Sequence, residues 1–152
     1  MKAFILAAGV SRRLYPHTYD IPKCLLKVSG KPIIHYQLEA LEDLGVQDIT
    51  MVVGYHREML MANITKFFPN LNFNFVINHH YFETNTAYSV HVARESLTSI
   101  NLLMNADVIY PKDLLNEVYS SEHETVLAVE IKACGKEEVK VIDGGQNKIV
   151  AI

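Results

Sequence analysis

The chain of 152 residues is 49% hydrophobic and 20% charged, so it can build the core of one ordinary domain and is not a disordered chain. Its formal net charge is −3, from 14 basic and 17 acidic residues, and this near-neutral balance argues against nonspecific binding of nucleic acid. No apolar run reaches the roughly 18–20 residues that cross a bilayer, so we expect no membrane insertion.

Short apolar segments alternate with helical patterns along the chain. Residues 3–7 form an apolar run that ends at Ala8-Gly9, which predicts a central parallel strand buried on both faces. The further predicted elements are, in chain order, a loop over 8–22, a helix beginning at Pro32 and closed by Gly45, a strand over 49–53, a helix over 59–68, a strand over 73–77, a loop over 78–86, a helix over 87–97, a strand over 102–104, a helix over 111–119, a strand over 125–131 and a hairpin over 139–152. The alternation predicts a Rossmann-like α/β fold, in which a mostly parallel sheet carries helices on both faces and a C-terminal antiparallel hairpin is added.

The two cysteines indicate a reducing compartment and give no sign of a metal site. Cys24 and Cys134 lie far apart and form no CxxC pair, which argues against a structural zinc site and suits a reducing cytoplasm. We expect both to be small buried residues. The short apolar run at the N-terminus has no cleavage region after it, so it does not predict a signal peptide. We therefore expect a cytoplasmic protein, and its oligomeric state stays open.

The segment that follows the first predicted strand has the composition of an anion-binding loop. Ligands of open α/β sheets bind outside the carboxyl ends of the strands, and a residue without a Cβ, such as Gly9, lets the backbone approach a phosphate. Arg13 and Lys23 follow in the same predicted loop, and Lys31 is a third candidate cation. Two cations that converge on a triphosphate would stabilise the charge that develops during transfer. The chain has no GxxxxGK[ST] motif, which excludes a P-loop, and no GxGxxG motif after the first strand, which disfavours a dinucleotide-binding domain.

Together these residues resemble the signature of the sugar-nucleotidyltransferase family, which includes sugar-1-phosphate nucleotidylyltransferases and phosphocholine cytidylyltransferases. The resemblance is carried by Leu6-Ala7-Ala8-Gly9, Arg13-Leu14, Pro16, Thr18, Pro22-Lys23, Leu25 and Gly30-Lys31-Pro32. It implies catalytic roles for Arg13 and Lys23 on the phosphates of a nucleotide. The nucleotide-binding residues that it implies near the N-terminus are Leu6, Ala7, Ala8, Gly9 and Ser11.

The resemblance also implies a magnesium cofactor. Asp107, in Asn105-Ala106-Asp107, corresponds to the family's metal-binding aspartate after a strand, and a carboxylate suits a hard cation that bridges phosphates. Taken alone, the same pattern also fits a helix cap or a turn residue.

The chain departs from the family's pattern at two places. Ser11 stands where the family often has a second glycine. We find no counterpart of the family's second metal-binding aspartate near the C-terminal end.

The polar segment over 78–89 predicts the base-binding side of the site. Asn85 and Thr86 correspond to the place where related enzymes contact the base edge, and an asparagine offers the donor and the acceptor that a pyrimidine requires. The order Asn-Thr-x-Tyr-Ser resembles the phosphocholine-type cytidylyltransferases more than the hexose-1-phosphate enzymes, which favours CTP. Adjacent residues of an extended segment point to opposite faces, so His79-His80 is not expected to chelate a metal.

The function that the resemblance implies is nucleotidyl transfer. A nucleoside monophosphate, CMP in the favoured case, would pass from a nucleoside triphosphate to a small phosphorylated acceptor such as phosphocholine or a sugar 1-phosphate, with release of pyrophosphate. The alternative is a catalytically silent nucleotide-binding regulatory or assembly module. Because the last residues, Lys148-Ile149-Val150-Ala151-Ile152, stand inside an apolar strand pattern, we expect residues 1–152 to be a catalytic domain truncated at its C-terminus.

Overall fold

The computed structural model describes residues 1–98, 101–135, 139–146 and 148–152. The strands of the described chain are β1 (Lys2–Ala7), β2 (Lys27–Val28), β3 (Lys31–Pro32), β4 (Asp48–Val53), β5 (Asn72–Ile77), β6 (Asn101–Asn105), β7 (Ile142–Asp143) and β8 (Ile149–Ala151). The α-helices are α1 (Ile33–Asp43), α2 (Arg57–Phe67), α3 (Thr86–Val92) and α4 (Lys112–Tyr119), and short 3-10 turns lie at Arg12–Leu14, Lys23–Leu25 and Arg94–Ser96.

The main sheet has four parallel strands in the order β5-β4-β1-β6. The strands are rich in apolar residues because helices cover both faces, as parallel sheets require. In the register, Ala7 lies opposite Val53, and Val53 lies opposite Ile77. The carboxyl ends of β1, β4 and β5 therefore meet at one edge of the sheet, and Leu6 opposite Asn105 brings the end of β6 to the same edge.

Side chains of β1 alternate between two cores. Ile5, which is fully buried, belongs to the larger core, to which α1, α2 and α4 contribute Leu38, Ile64 and Leu115. Phe4 points to the other face and packs in a smaller core with Ala93, the residue that follows α3. The predicted parallel sheet with helices on both faces is confirmed. In the described ranges, no helix combines the length and the apolar character needed to cross a membrane.

Two elements differ from the prediction. The strand predicted over 125–131 is wrong, because this segment forms no regular structure and its apolar side chains are exposed, with Ile131 fully so. Strands need a neighbour for their N–H and C=O groups, and no strand of the described chain pairs with this segment. The small hairpin of β2 and β3 was not predicted. The predicted C-terminal hairpin is present as β7 and β8, although its residue 147 lies outside the described residues.

Candidate functional site

A cavity of about 250 Å³ opens at the carboxyl edge of the main sheet. Four segments line it: the end of β1 with the loop after it, the 3-10 turn at Lys23, the loop from β5 into α3, and the end of β6. Its lining residues are Leu6, Ala7, Ala8, Gly9, Ser11, Pro22, Lys23, Cys24, Asn78, Tyr81, Thr84, Asn85, Thr86, Ser89, Asn105, Ala106 and Asp107. All the predicted site residues except Arg13 and the candidate cation Lys31 are in this set.

The end of β1 forms the floor of the cavity. The carbonyl of Leu6 accepts a hydrogen bond from the amide of Ala106 at 3.1 Å, and the carbonyl of Ala8 accepts one from Tyr55, also at 3.1 Å. These bonds fix the backbone on both sides of Ala7. Gly9 comes next, and a Cβ placed on it would meet no atom within 4 Å. The backbone at Gly9 therefore borders open space into which a ligand can approach closely.

Ser11 turns the chain after Gly9. Its φ is 56°, in the left-handed region that glycine adopts most easily. The Ser11 carbonyl accepts hydrogen bonds from the Leu14 amide at 3.0 Å and from the Thr18 hydroxyl at 3.1 Å, and Thr18 is fully buried. This anchoring explains how a serine is held in a conformation suited to the glycine that the related family often has here.

Lys23 and Asp107 meet across the cavity. The Lys23 ammonium donates to Oδ2 of Asp107 at 2.7 Å, with 31% and 40% of the two side chains exposed. Lys23 lies on its own 3-10 turn, whereas Asp107 follows β6, so the fold and not the local sequence brings them together. A cation and an anion that both face the cavity can serve two different parts of a ligand that carries phosphates and a metal.

The loop from β5 to α3 is organised by Asn78, which is 1% exposed. The Asn78 amide nitrogen donates to the hydroxyls of Thr84 at 3.1 Å and Ser89 at 3.2 Å, and its carbonyl oxygen accepts from the His80 amide at 2.9 Å. Asn85 then caps α3, because its Oδ1 accepts from the Tyr88 amide at 3.2 Å. The cap uses the acceptor end of Asn85, so the amide nitrogen is the end that can serve a ligand.

A close packing contact joins this loop to the end of β4. A Cβ placed on Gly54 would lie 2.6 Å from the Tyr81 Cβ and 2.8 Å from the Ala8 carbonyl oxygen. The absence of a side chain at Gly54 thus lets the Tyr81 loop lie directly against the β1 loop. Both Tyr81 and Ala8 line the cavity, so this contact sets part of its width.

Cys24 lies beside Lys23 and is 3% exposed. Burial raises the pKa of its thiol from 9.0 to about 12, so the group is a neutral thiol at physiological pH. Such a thiol is a poor nucleophile, and Cys24 fills space in the cavity wall instead.

The other predicted cations lie elsewhere. Arg13 is exposed on the 3-10 turn after Ser11 and is not part of the cavity lining. The Lys31 ammonium lies 2.5 Å from Glu39 and 3.9 Å from the centre of the Tyr36 ring, which holds it on the β3–α1 surface. Lys23 is thus the predicted cation that the structure brings to the cavity.

Several lining residues were predicted only as members of the polar segment over 78–89 and not by their individual roles. Asn78 and Ser89 are polar residues in the predicted loop and helix, and only their burial shows that they organise the site. Tyr81 could have been found only through its contact with Gly54, which depends on the fold. The expectation that both cysteines are small buried residues is confirmed for Cys24 and wrong for Cys134, which is exposed. The place of Cys24 in the cavity wall could not be deduced from its position in the chain.

A magnesium ion fits the donor chemistry of this cavity. The described residues contain no group of three or more His, Cys, Asp or Glu side chains that could enclose a metal by themselves. Magnesium usually takes one or two carboxylates together with substrate phosphates and water, not a closed protein cage. Asp107 supplies one carboxylate at the carboxyl end of β6 and leaves the remaining positions to a ligand.

The chain is similar to several known proteins. Residues 3–138 match the model of the MobA-like NTP transferase domain. The chain is 31% identical over 140 residues to the CTP:phosphoglutamine cytidylyltransferase of Campylobacter jejuni, covering 88% of this chain and 54% of that protein. It is 34% identical over 126 residues to the choline-phosphate cytidylyltransferase of Streptococcus pneumoniae, covering 83% of this chain and 53% of that protein.

Among solved structures, the CTP:phosphocholine cytidylyltransferase of Streptococcus pneumoniae is similar to this chain, with a TM-score of 0.61 and 35% identity. The match covers 74% of this chain and 49% of that one. This chain therefore spans about half the length of the relatives that it matches.

Proposed function

This chain belongs to the family of MobA-like NTP transferase domains, and we propose that it binds a nucleoside triphosphate for nucleotidyl transfer. In the proposed reaction a nucleoside monophosphate passes to a small phosphorylated acceptor, and pyrophosphate is released. The observation that carries the proposal is the cavity in which Gly9, Lys23 and Asp107 meet at the carboxyl edge of the sheet. A bare backbone segment, a cation and a carboxylate are the groups that a metal–triphosphate complex requires.

We favour CTP as the nucleotide and a phosphorylated small molecule, such as phosphocholine or a sugar 1-phosphate, as the acceptor. The support for CTP is the resemblance of residues 85–89 to cytidylyltransferases, together with the cytidylyltransferase activity of the two relatives named above. The side-chain amide of Asn85 would donate to an acceptor on the pyrimidine ring, with Thr86 beside it. The free thiols of Cys24 and Cys134 favour a reducing compartment such as the cytoplasm.

In the proposed step, an oxygen of the acceptor's phosphate attacks the α-phosphorus of the nucleotide in line with the departing pyrophosphate. One P–O bond forms, the bond to the β-phosphate bridging oxygen breaks, and the electron pair leaves with pyrophosphate. The nucleophile is already an anion, so the site needs no strong general base. The chain's contribution is therefore positioning and charge stabilisation.

Lys23 would bind the phosphates and stabilise the negative charge that builds up as the bond to pyrophosphate breaks. Asp107 would hold a magnesium ion, which when bound neutralises phosphate charge and orients the reacting groups. Backbone amides from Ala7 to Gly9 would contact the nucleotide where no side chain intervenes. Arg13 lies outside the cavity lining, and its contact with phosphate stays a prediction from the family resemblance.

A catalytically silent nucleotide-binding module is the second candidate. It would use the same cavity, because Gly9, Lys23 and Asp107 serve binding as well as turnover. The experiment that separates the two is pyrophosphate release by the full-length protein with CTP, UTP, dTTP, ATP and GTP, each with Mg²⁺ and a panel of phosphorylated acceptors. Acceptor-dependent release, fastest with CTP, supports the enzyme. Nucleotide binding without release with any acceptor supports the silent module, and no binding of any nucleotide contradicts both.

A further inference from the structure

A glutamine on the buried face of α1 contacts the loop that carries Asp107. Gln37 is 1% exposed and lies among the apolar residues of its helix. Its Nε2 donates to the carbonyl of Asn105 at 2.8 Å and also to the carbonyl of Val108. These two carbonyls lie on either side of Asp107 in the chain, so one amide group spans the backbone of the loop from 105 to 108.

Tyr110 follows the same loop in the chain, and its side chain hydrogen-bonds back to the first residue of that loop. The Tyr110 hydroxyl accepts from the Asn105 amide at 3.2 Å and donates to the Asn105 carbonyl at 3.4 Å. Burial raises the pKa of this hydroxyl above its ordinary value, so it stays protonated and keeps its donor. Gln37 and Tyr110 therefore converge on Asn105, the last residue of β6 and the start of the loop to Asp107.

The amide nitrogen of Gln37 makes these hydrogen bonds, but the oxygen of the same side chain is left unpaired among the described residues. Within the described chain, Gln37 Oε1 is buried and has no hydrogen-bond partner. An unpaired buried acceptor is unfavourable, and an apolar side chain of similar size at this position would avoid that loss. A buried polar residue with an unpaired atom often belongs to a functional site. Here the Nε2 end of Gln37 holds the loop that carries Asp107.

We propose that Gln37, together with Tyr110, is a positioning residue that holds the 105–108 backbone so that the Asp107 carboxylate faces Lys23 and the cavity. The inference rests on the proposed function, because it assigns Asp107 to the metal of a metal–nucleotide complex. Neither side chain lines the cavity, so both act through the loop and not on the ligand. Groups one step removed from a metal ligand commonly change metal affinity by about 10-fold or more when they are removed.

The test measures CTP binding to the full-length protein at increasing Mg²⁺ and again in EDTA. Gln37→Met keeps the length of the side chain and removes both donors, and Tyr110→Phe removes only the hydroxyl. We expect each variant to raise the Mg²⁺ concentration for half-maximal CTP binding, by about 10-fold for Gln37→Met. Affinity for CTP in EDTA should stay within about twofold of wild type, because the Asp107 charge is still present.

Ile64→Val is the control for a general loss of stability, since Ile64 is fully buried in α2 and distant in sequence from the loop. It should leave the Mg²⁺ requirement unchanged. An unchanged requirement in Gln37→Met, or an equal shift in Ile64→Val, would overturn the positioning role while leaving the proposed function intact. If Gln37→Met does not fold, Tyr110→Phe decides by the same criterion. If wild-type CTP binding shows no dependence on Mg²⁺, the inference and the proposed function fail together.

Discussion

The Lys23 ammonium lies 2.7 Å from Oδ2 of Asp107, although 84 positions separate the two residues in the chain. The pair joins the turn after the β1 loop to the end of β6. With 31% and 40% of the side chains exposed, water screens the pair, and such pairs contribute only about 0–1 kcal/mol to folding. Substitution of either residue is therefore expected to affect ligand binding and turnover much more than stability.

Replacing Lys23 with alanine should remove the cavity's phosphate-binding cation. We expect Lys23→Ala to lower kcat/KM by about 100-fold or more, in line with the loss of one group that stabilises transition-state charge. The free energy of unfolding should change by less than about 1 kcal/mol. Lys27→Ala is the matched control, because Lys27 is exposed on β2 and does not line the cavity. A Lys23→Ala variant as active as Lys27→Ala would show that Lys23 has no catalytic role.

Replacing Asp107 with asparagine should have opposite effects with and without metal. In EDTA the carboxylate repels the triphosphate and occupies Lys23, so Asp107→Asn should bind CTP several-fold more tightly than wild type. In Mg²⁺ the variant lacks a metal ligand and should bind and turn over CTP far less well. Calorimetric titration under both conditions checks the crossover. Equal affinity of wild type and variant in both would contradict the role of Asp107.

Replacing Gly9 with alanine should affect binding alone. A Cβ at Gly9 meets no atom within 4 Å, and its φ is not in the left-handed region, so stability should stay within about 0.5 kcal/mol of wild type. The added methyl group would occupy space next to the backbone that contacts the nucleotide. We expect the Kd for CTP to rise by about 10-fold.

Gly54→Ala is the counterpart of Gly9→Ala. Its Cβ would lie 2.6 Å from Tyr81 and 2.8 Å from the Ala8 carbonyl, so the two loops must move apart. We expect a loss of about 1–3 kcal/mol in the free energy of unfolding, measured by denaturant titration, together with weaker CTP binding. A stable Gly54→Ala protein would mean that the loops separate easily.

The role of Asn85 in binding can be separated from its role as a helix cap. Asn85→Asp keeps the oxygen that accepts from the Tyr88 amide, and aspartate caps helices about as well as asparagine, so stability should be preserved. The carboxylate cannot donate to a pyrimidine, so we expect CTP affinity to fall by about 5- to 10-fold. Asn85→Ala should instead lose about 1 kcal/mol of stability by removing the cap. Wild-type affinity in Asn85→Asp would remove Asn85 from the base site.

The buried Cys24 thiol should make folding sensitive to alkaline pH. Its pKa is raised from 9.0 to about 12, so the unfolded chain loses the proton first as pH rises. The contribution to stability is thus complete below about pH 9 and is lost as pH rises through about 12. At pH 10 wild type should have lost about 1 kcal/mol more than Cys24→Ala, relative to neutral pH, in urea unfolding. Parallel pH profiles for the two proteins would contradict the burial of the thiol.

The main sheet could be predicted from sequence because the residue pattern within each short segment indicates a strand. Residues 3–7 and 49–53 were predicted as buried strands that end at glycine, and 73–77 as a strand with alternating apolar residues; each is a strand in the structure. The end of α1 followed from Gly45, whose φ is +73°. The strand predicted over 125–131 failed because strand formation depends on a partner, and an apolar pattern alone does not supply one.

Assembly of the site depended on contacts that are distant in the chain. Gly9 was expected at the site because it follows a predicted strand, and Asp107 because of the family resemblance; both line one cavity in the structure. The sequence did not reveal that Arg13 lies outside the cavity lining, on the exposed 3-10 turn after Ser11. The bonds of Gln37 to Asn105 and Val108 could not be predicted, because they form only when α1 packs beside the end of β6.

We propose that CTP with Mg²⁺ binds in the cavity between the ends of β1 and β6. The most direct test is backbone amide NMR of this 152-residue chain titrated with CTP and Mg²⁺. We predict saturable shifts at Ala8, Gly9, Thr86 and Asp107, with no comparable change at β2 or the C-terminal hairpin. Shifts confined to other surfaces, or none at millimolar CTP and Mg²⁺, would contradict the assignment of this cavity as the nucleotide site.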